Sequence, residues 1–424
     1  MEFVLPLVLL FALLVLSVPV ALSLALAGMV GIYMLRGPTT LIGILSTAPK
    51  SALSSFELLT IPMFILMAEF MGLSGISKSL FRAVAVWTGR LRGGLGISTV
   101  VTGALFGAVS GSSTAAAATL ARTSIPAMLD EGYDRSKAAG IVAMAGTIAM
   151  LIPPSVALIF YGLLSGTNIS ALLIAGIVPG LLVTLALSLT FWITGESRAH
   201  ARRHSWRERL ASLKVAMPFL GLFGAVTGLI YTGVATPVES SAIGALAALL
   251  YTIASRTFTF AGLKTALVNT AAVTAMIGLI IVCAQIFGFY ITMSGIARSL
   301  AATIGGADVP LWVVLTAIVV IYLILGLFLD LISILILTVP VMMPIVQQLG
   351  LDPIWFGIIV ILLAEIGIVT PPMGMNVFVV SAVSGIPVRE CFAGVALPIV
   401  SVLALTVVLV IWPEIVLWLP NTMR

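Results

Sequence analysis

The sequence predicts an all-α polytopic membrane protein built from two inverted-topology repeats. Hydrophobic residues make up 61% of the 424-residue chain and charged residues only 8%, which excludes an ordinary soluble domain. The apolar runs are far longer than the roughly 10 alternating residues of a barrel strand, so the spans are expected to be helices. A proline pair interrupts one apolar segment in each half of the chain, at Pro153-Pro154 and at Pro371-Pro372.

Each proline pair is expected to break a membrane helix. Two consecutive prolines remove two backbone donors and disfavour helical geometry in the residue before them. In hydrocarbon, a broken helix is tolerated where its freed carbonyl groups line a polar cavity or bind a ligand. One such break could be an ordinary proline kink relieved by neighbouring helices. Two breaks at matching places favour a binding site near the middle of the bilayer.

An internal duplication is visible at an offset of 218 residues. Four proline pairs coincide at this offset, namely Pro19/Pro237, Pro126/Pro344, Pro153/Pro371 and Pro154/Pro372. An arbitrary offset should match roughly half a proline pair, given the usual frequency of this residue. We therefore predict two homologous repeats at 1–197 and 215–424, joined by a basic connector at 198–214.

The first repeat contains spans of several kinds. Small polar residues at the centre of 94–129 predict a re-entrant hairpin rather than two full spans. Charged positions among apolar ones at 76–92 indicate an amphipathic helix in the interface, which would act as an arm. The predicted segments in order are two short helices divided by Pro19 within 3–35, a span at 53–73, the arm, the hairpin, a broken helix at 136–164 and a span at 169–194.

The second repeat follows the same order, and the charges indicate how it is inserted. Its predicted segments are 218–235, 238–255, 266–291, an arm at 293–306, the hairpin 310–348, the broken helix 354–383 and the span 393–418. Five crossings in each repeat would insert the second one upside down. With the N-terminus outside, sixteen Lys and Arg residues lie on the inner side and four on the outer side. Both termini are then outside, and the connector is cytoplasmic.

Cysteine labelling tests this topology. A cysteine introduced near Arg203 should react with an impermeant reagent only from the cytoplasm, because the charge asymmetry places the connector there. Cysteines near Asn168 or Asp308 should react only from outside. Labelling of the Arg203 and Asn168 positions from the same side would contradict five crossings per repeat.

Polar groups inside the membrane are expected to carry the chemistry, because such groups are costly to keep there. Asp330, at the second hairpin tip, and Glu365 are the deepest carboxylates. The first tip instead offers neutral hydroxyl groups, on Ser110, Ser112, Ser113 and Thr114. Oxygen ligands and freed carbonyl groups suit an alkali cation, and half-helix N-termini suit an anion. A serine in a membrane helix more often bonds to its own backbone, so the cluster carries the inference rather than any single hydroxyl.

Other functional classes fit the sequence less well. An intramembrane enzyme is not indicated, because no histidine lies in an apolar span and no His-Glu-x-x-His pattern occurs. A channel could use re-entrant loops but would not need an inverted repeat of the whole protein. Without a P-loop motif, an ion gradient is the simpler energy source. The connector has a topological explanation and indicates no nucleic-acid partner.

The Ser-Gly-Ser-Ser-Thr-Ala tip, the breaks at 152–155 and 370–374 and the two-hairpin layout resemble the large membrane subunit of tripartite ATP-independent periplasmic (TRAP) transporters. The resemblance implies an elevator-type ion transporter fold in the bacterial inner membrane. It implies sodium-coupled uptake of an organic acid anion, such as a C4-dicarboxylate or sialic acid, without an organic cofactor. A periplasmic substrate-binding protein would deliver the substrate, and a small four-helix membrane subunit would be a separate chain. The alternative is a proton-coupled or stand-alone anion symporter of the related ion transporters.

The resemblance also implies site residues, with the substrate between the two tips. The implied sodium ligands, including the carbonyl groups before Pro153, are Ser110, Ser112, Ser113, Pro153, Asp330, Ser333, Thr370 and Gly374. The implied substrate contacts are Gly111, Thr114, Pro154, Ser155, Pro372, Met373 and Asn376. Related ion transporters carry a Ser-Asn-Thr tip that is absent here, so their dicarboxylate contacts cannot be transferred to this chain.

Overall fold

The computed structural model describes residues 4–195, 205–296, 298–299 and 310–423. Every regular element within these residues is a helix, which confirms the predicted all-α class. Eight of the described helical segments are long and apolar enough to cross a membrane. The chain is therefore a multi-pass membrane protein, as predicted.

The helices of the first part of the chain extend to residue 194. They are α1 (Val4–Val15), α2 (Val20–Leu53), α3 (Thr60–Leu73), α4 (Ile76–Thr88), α5 (Gly94–Ser110), α6 (Ser113–Asp130), α7 (Arg135–Thr147), α8 (Val156–Ser165), α9 (Ile169–Ala175) and α10 (Ile177–Thr194). Short 3₁₀ turns at Phe56–Leu59 and Ile148–Met150 precede α3 and follow α7.

The helices of the second part begin at residue 206. They are α11 (Trp206–Tyr231), α12 (Pro237–Ala254), α13 (Phe260–Ser294), α14 (Leu311–Gly326), α15 (Leu331–Gln348), α16 (Pro353–Gly367), α17 (Met375–Ser384), α18 (Val388–Ile411) and the short α19 (Glu414–Leu417). A 3₁₀ turn at Pro420–Thr422 follows.

The structure corrects the predicted beginning of the chain. Pro19 separates α1 from α2 as predicted, but α2 does not end near residue 35. It continues to Leu53 as two segments that meet at Gly37, whose φ of 78° is not helical. Pro38 begins the second segment. Proline lacks a backbone N–H, but at the first position of a helix this costs little, because an N–H there has no acceptor within the helix. The sequence pattern predicts no helix between 36 and 52, so this segment was missed.

Two predicted spans of the second repeat are also too short. The span predicted at 218–235 begins at Trp206, because Ser205 and Glu208 form a capping box that starts α11 inside the predicted connector. The span predicted at 266–291 is the 35-residue helix α13. Residues 196–204, with Arg203, and 300–309, with Asp308 and most of the second predicted arm, lie outside the described residues.

Two groups of helices pack among themselves. In one group, α2 packs along α13, and α3 packs along α12. In the other group, α5 and α6 of the first predicted hairpin pack against α7, α14 and α15 of the second pack against α16, and α7 packs along α18. The two groups touch where α13 meets α15 and where α3 meets α5. Backbones approach closely where Gly140 of α7 meets Gly394 of α18. The division into two inverted repeats, and the depth of the hairpins in a bilayer, stay predictions.

The arm helix α4 is fastened to the start of α11. The Arg209 guanidinium group lies 5.6 Å from the ring centre of Trp87 and 5.2 Å from that of Trp206, distances at which a cation is attracted to an aromatic face. The indole of Trp87 donates a hydrogen bond of 3.1 Å to the Ser212 hydroxyl. These contacts hold the arm against α11, which in turn packs on α12.

Candidate functional site

The first break lies between α7 and α8 and is buried. Residues 151–155 follow the 3₁₀ turn and include the Pro153-Pro154 pair. The Ser155 hydroxyl accepts a hydrogen bond from the Leu158 amide at 3.2 Å, which caps α8, and it donates to the Met150 carbonyl. The Ser155 side chain, an implied substrate contact, is thus already engaged by the break itself.

The second break lies between α16 and α17 and is more open. The Thr370 hydroxyl donates to the Ile366 carbonyl at 2.7 Å, one turn earlier. Pro371, Pro372 and Met373 are exposed, with Met373 at 52%. The chain then turns into α17 at Gly374, whose φ is 46°. The implied substrate contacts Pro372 and Met373 therefore reach a surface, whereas Pro153 and Pro154 do not.

The first hairpin tip lies against the first break. Gly111 joins α5 to α6 with a φ of 55°, and a Cβ atom built on it would lie 3.4 Å from the Pro154 carbonyl oxygen. The hydroxyls of Ser112 and Thr114 are 3.3 Å apart, and Ser110 contacts the Ser112 carbonyl at 3.4 Å. These distances are long for hydroxyl hydrogen bonds, so the tip hydroxyls are weakly engaged. The structure thus places Ser110, Gly111, Ser112 and Thr114 close to Pro154.

The second hairpin tip lies against the second broken helix. Asp330 caps α15, because one of its carboxylate oxygens accepts from the Ser333 amide at 3.3 Å. The Ser333 hydroxyl donates to the other oxygen. Nearby, a Cβ atom built on Gly326 would lie 2.7 Å from the Gly367 Cα, so the backbones of α14 and α16 touch. The structure therefore pairs Asp330 with Ser333, two of the implied sodium ligands.

Ser113 occupies a different environment from the other tip serines. Its side chain is 3% exposed and faces the Glu365 carboxyl group of α16, although the two do not meet ordinary hydrogen-bond geometry. The sequence identifies Glu365 as a deep carboxylate but gives no sign of its neighbour in the other half. A carboxyl group thus lies beside the first tip, where the sequence indicates hydroxyl groups.

Two buried polar side chains on the second broken helix have no hydrogen-bond partner among the described residues. Glu365, before the break, is 2% exposed, and neither of its oxygens is paired. Asn376, after the break, is fully buried with both amide atoms unpaired, and its helix α17 packs against α6 and α7. Unpaired buried polar atoms are uncommon and indicate a missing ligand, ion or water.

The oxygen atoms that could coordinate a cation at the two tips belong to hydroxyl groups, carboxylates and the backbone carbonyl groups freed by the breaks. Hard cations prefer oxygen ligands of these kinds. The residues present therefore fit a cation such as sodium at each tip.

Interrupted helices beside polar hairpin tips place the chain in the class of membrane transporters. Its fold is similar to the crystal structure of the Alcanivorax borkumensis YdaH transporter, with a TM-score of 0.62 and 18% sequence identity over 89% of each chain. The chain belongs to the DctM component family of the tripartite ATP-independent periplasmic transporters, which matches residues 7–415.

Relatives within this family differ in the substrates for which they are named. The chain is 35% identical to the C4-dicarboxylate TRAP transporter large permease protein DctM of Pseudomonas aeruginosa, over 86% of each chain. It is 35% identical to the sialic acid large permease protein SiaM of Vibrio cholerae, over 87% of each. It is 32% identical to the ectoine/5-hydroxyectoine large permease protein UehC of Ruegeria pomeroyi, over 96% of each. The chain is a TRAP transport subunit.

Proposed function

We propose that this chain is the large membrane subunit of a sodium-coupled system that takes up an organic acid anion across the bacterial inner membrane. The observation that carries the proposal is the pair of hairpin tips beside the two helix breaks, each with oxygen donors that suit an alkali cation. The organic acid would bind between the tips, where Asn376 offers an unpaired amide.

The coupling would follow from charge. Asp330 is partly buried at the second tip, and a lone carboxylate is costly in a low-dielectric interior. Bound sodium would neutralise it and hold Ser333 and the second break together. The loaded hairpin could then cross the membrane as a compact unit, whereas the empty charged one could not.

The packing supports an elevator movement. The helices α2, α3, α12 and α13 form a group that would serve as the fixed frame. The hairpins and broken helices form the second group, which would move along that frame. The arm helix α4 contacts both α5 of the moving group and α11 beside the frame, so it would connect the two groups.

The proposed partners are a small four-helix membrane subunit, as a separate chain, and a periplasmic substrate-binding protein. A moving domain needs a stationary frame in the bilayer, and the small subunit would widen that frame. The binding protein would deliver a carboxylate-bearing substrate, since relatives are named for C4-dicarboxylate and sialic acid. Both termini of the chain would be periplasmic.

Reconstitution in liposomes tests the proposal. The chain, purified with its small subunit, should take up organic acid from the loaded binding protein under an inward sodium gradient without a pH gradient. Omission of the small subunit, the binding protein or sodium should each reduce uptake to near background. Transport that ignores sodium and follows only a pH gradient would favour the proton-coupled alternative. Full uptake by this chain alone would contradict the need for partners.

A further inference from the structure

The buried carboxyl group of Glu365 is unexplained by the proposed function. It lies in the last turns of α16, six residues before Pro371, and is 2% exposed. Neither oxygen accepts or donates a hydrogen bond within the described residues. Burial of an unpaired charge is unfavourable, and burial of an unpaired neutral acid still forfeits its hydrogen bonds to water. The site is thus incomplete as the protein alone forms it.

The neighbour of Glu365 comes from the other half of the chain. Ser113 is the first residue of α6, at the tip of the first hairpin, and its side chain is buried against the carboxyl group. A hydroxyl and a carboxylate that face each other without a direct hydrogen bond leave their oxygens available to a shared ligand.

We propose that Glu365 supplies the carboxylate ligand of a monovalent cation at the first hairpin tip, with Ser113 as a second ligand. The proposal deepens the proposed function, on which it rests, because it gives the first cation site a negative charge. This cation would be sodium, since hydroxyl and carboxylate oxygens are ligands that hard cations prefer. The first site would then resemble the second, where Asp330 and Ser333 form the same pair of donors.

The two sites would differ in how far apart their ligands lie along the chain. Asp330 and Ser333 belong to one helical turn. Ser113 lies on α6 of the first hairpin, whereas Glu365 lies on α16 of the second broken helix. A cation between Ser113 and Glu365 would therefore join the first hairpin to the second broken helix. Its release would leave α6 without this bridge to α16.

Sodium binding to the purified complex of this chain and its small subunit tests the proposal. The probes are radioactive sodium and the melting temperature in sodium chloride, with choline chloride as the substitute salt. Glu365→Gln should weaken sodium binding at one site at least about tenfold and reduce the sodium-dependent rise in melting temperature. Ser113→Ala should weaken the same site less and provides the test if Glu365→Gln does not fold. Ser124→Ala is the matched control, because Ser124 is a buried α6 serine whose hydroxyl is also unpaired but lies away from the tip.

The outcomes separate this proposal from the proposed function. Unchanged sodium affinity in both Glu365→Gln and Ser113→Ala, with sodium-driven uptake intact in the wild type, would overturn the proposal alone and leave Glu365 as a buried neutral acid. A wild-type complex that binds no sodium would overturn the proposed coupling as well. If Ser124→Ala lost sodium binding to the same degree, the proposal that Glu365 is a sodium ligand would also be overturned, because the effect would not be specific to the tip.

Discussion

Replacement of Asp330 by Asn is expected to reduce sodium-dependent uptake sharply while the protein still reaches the membrane. Asn caps helices about as well as Asp, so α15 keeps its start, but the negative charge is lost. Hydrogen bonds to charged groups contribute about 1.5–3 kcal/mol, and a loss of that size in sodium binding corresponds to a roughly 10- to 150-fold loss of sodium affinity. The sodium concentration that gives half-maximal uptake in proteoliposomes measures the effect.

Asp352→Asn is the matched control for this prediction. Asp352 caps the next helix, α16, by accepting from the Ile354 and Trp355 amides, and it is exposed at the opposite end of that helix from the break. The same chemical change there should leave sodium dependence unchanged. Ser112→Ala should have a smaller effect than Asp330→Asn, because it removes a neutral ligand. Unaltered sodium dependence in Asp330→Asn would exclude the carboxylate from the coupling site.

Replacement of Gly394 by Ala should destabilise the packing of α18 on α7. A Cβ atom at Gly394 would collide with the Ser136 carbonyl oxygen and lie 3.0 Å from the Gly140 amide nitrogen. Both neighbours are backbone atoms, which cannot rotate away as a side chain can. Overpacking of this kind costs about 1–3 kcal/mol, and the melting temperature of the purified complex should fall accordingly.

Gly221→Ala provides the comparison for Gly394→Ala. Gly221 lies inside α11, and a Cβ atom there meets nothing within 4 Å. Alanine is favoured over glycine in a helix by up to about 1 kcal/mol, so stability should be equal or slightly higher. If both variants melt at the same temperature, the close approach of α7 and α18 does not contribute to stability.

The parts of the fold that could be predicted from sequence are those with local signals. The paired prolines mark both breaks, and small polar residues mark the tip near Ser112, because these residues change backbone geometry or polarity where they stand. The length of the apolar runs indicates the helical membrane class in the same way. The kink at Gly37 also has a local signal, the following Pro38, but beside Arg36 and Thr39 it reads as the end of a helix rather than as a bend inside one.

The candidate site could be predicted only in part, because its ligands converge from distant segments. The tip hydroxyls and Asp330 stand out as polar groups in apolar runs. The proximity of Ser113 to Glu365 has no such signal in the sequence, since it depends on how α6 packs beside the second broken helix. No spacing or periodicity records such a contact, and only the three-dimensional arrangement reveals it.

The contact between Ser113 and Glu365 also bears on how the protein is made. The two residues are 252 positions apart (365 − 113), and α6 is complete long before α16 and α17 leave the ribosome. At roughly 5–20 residues per second, synthesis of the intervening chain takes about 13–50 s. During that interval the newborn hairpin has α7 and α8 beside it but lacks Glu365 and α17, which packs on α6. Assembly of this part of the molecule is therefore a late event, completed only when translation is nearly finished.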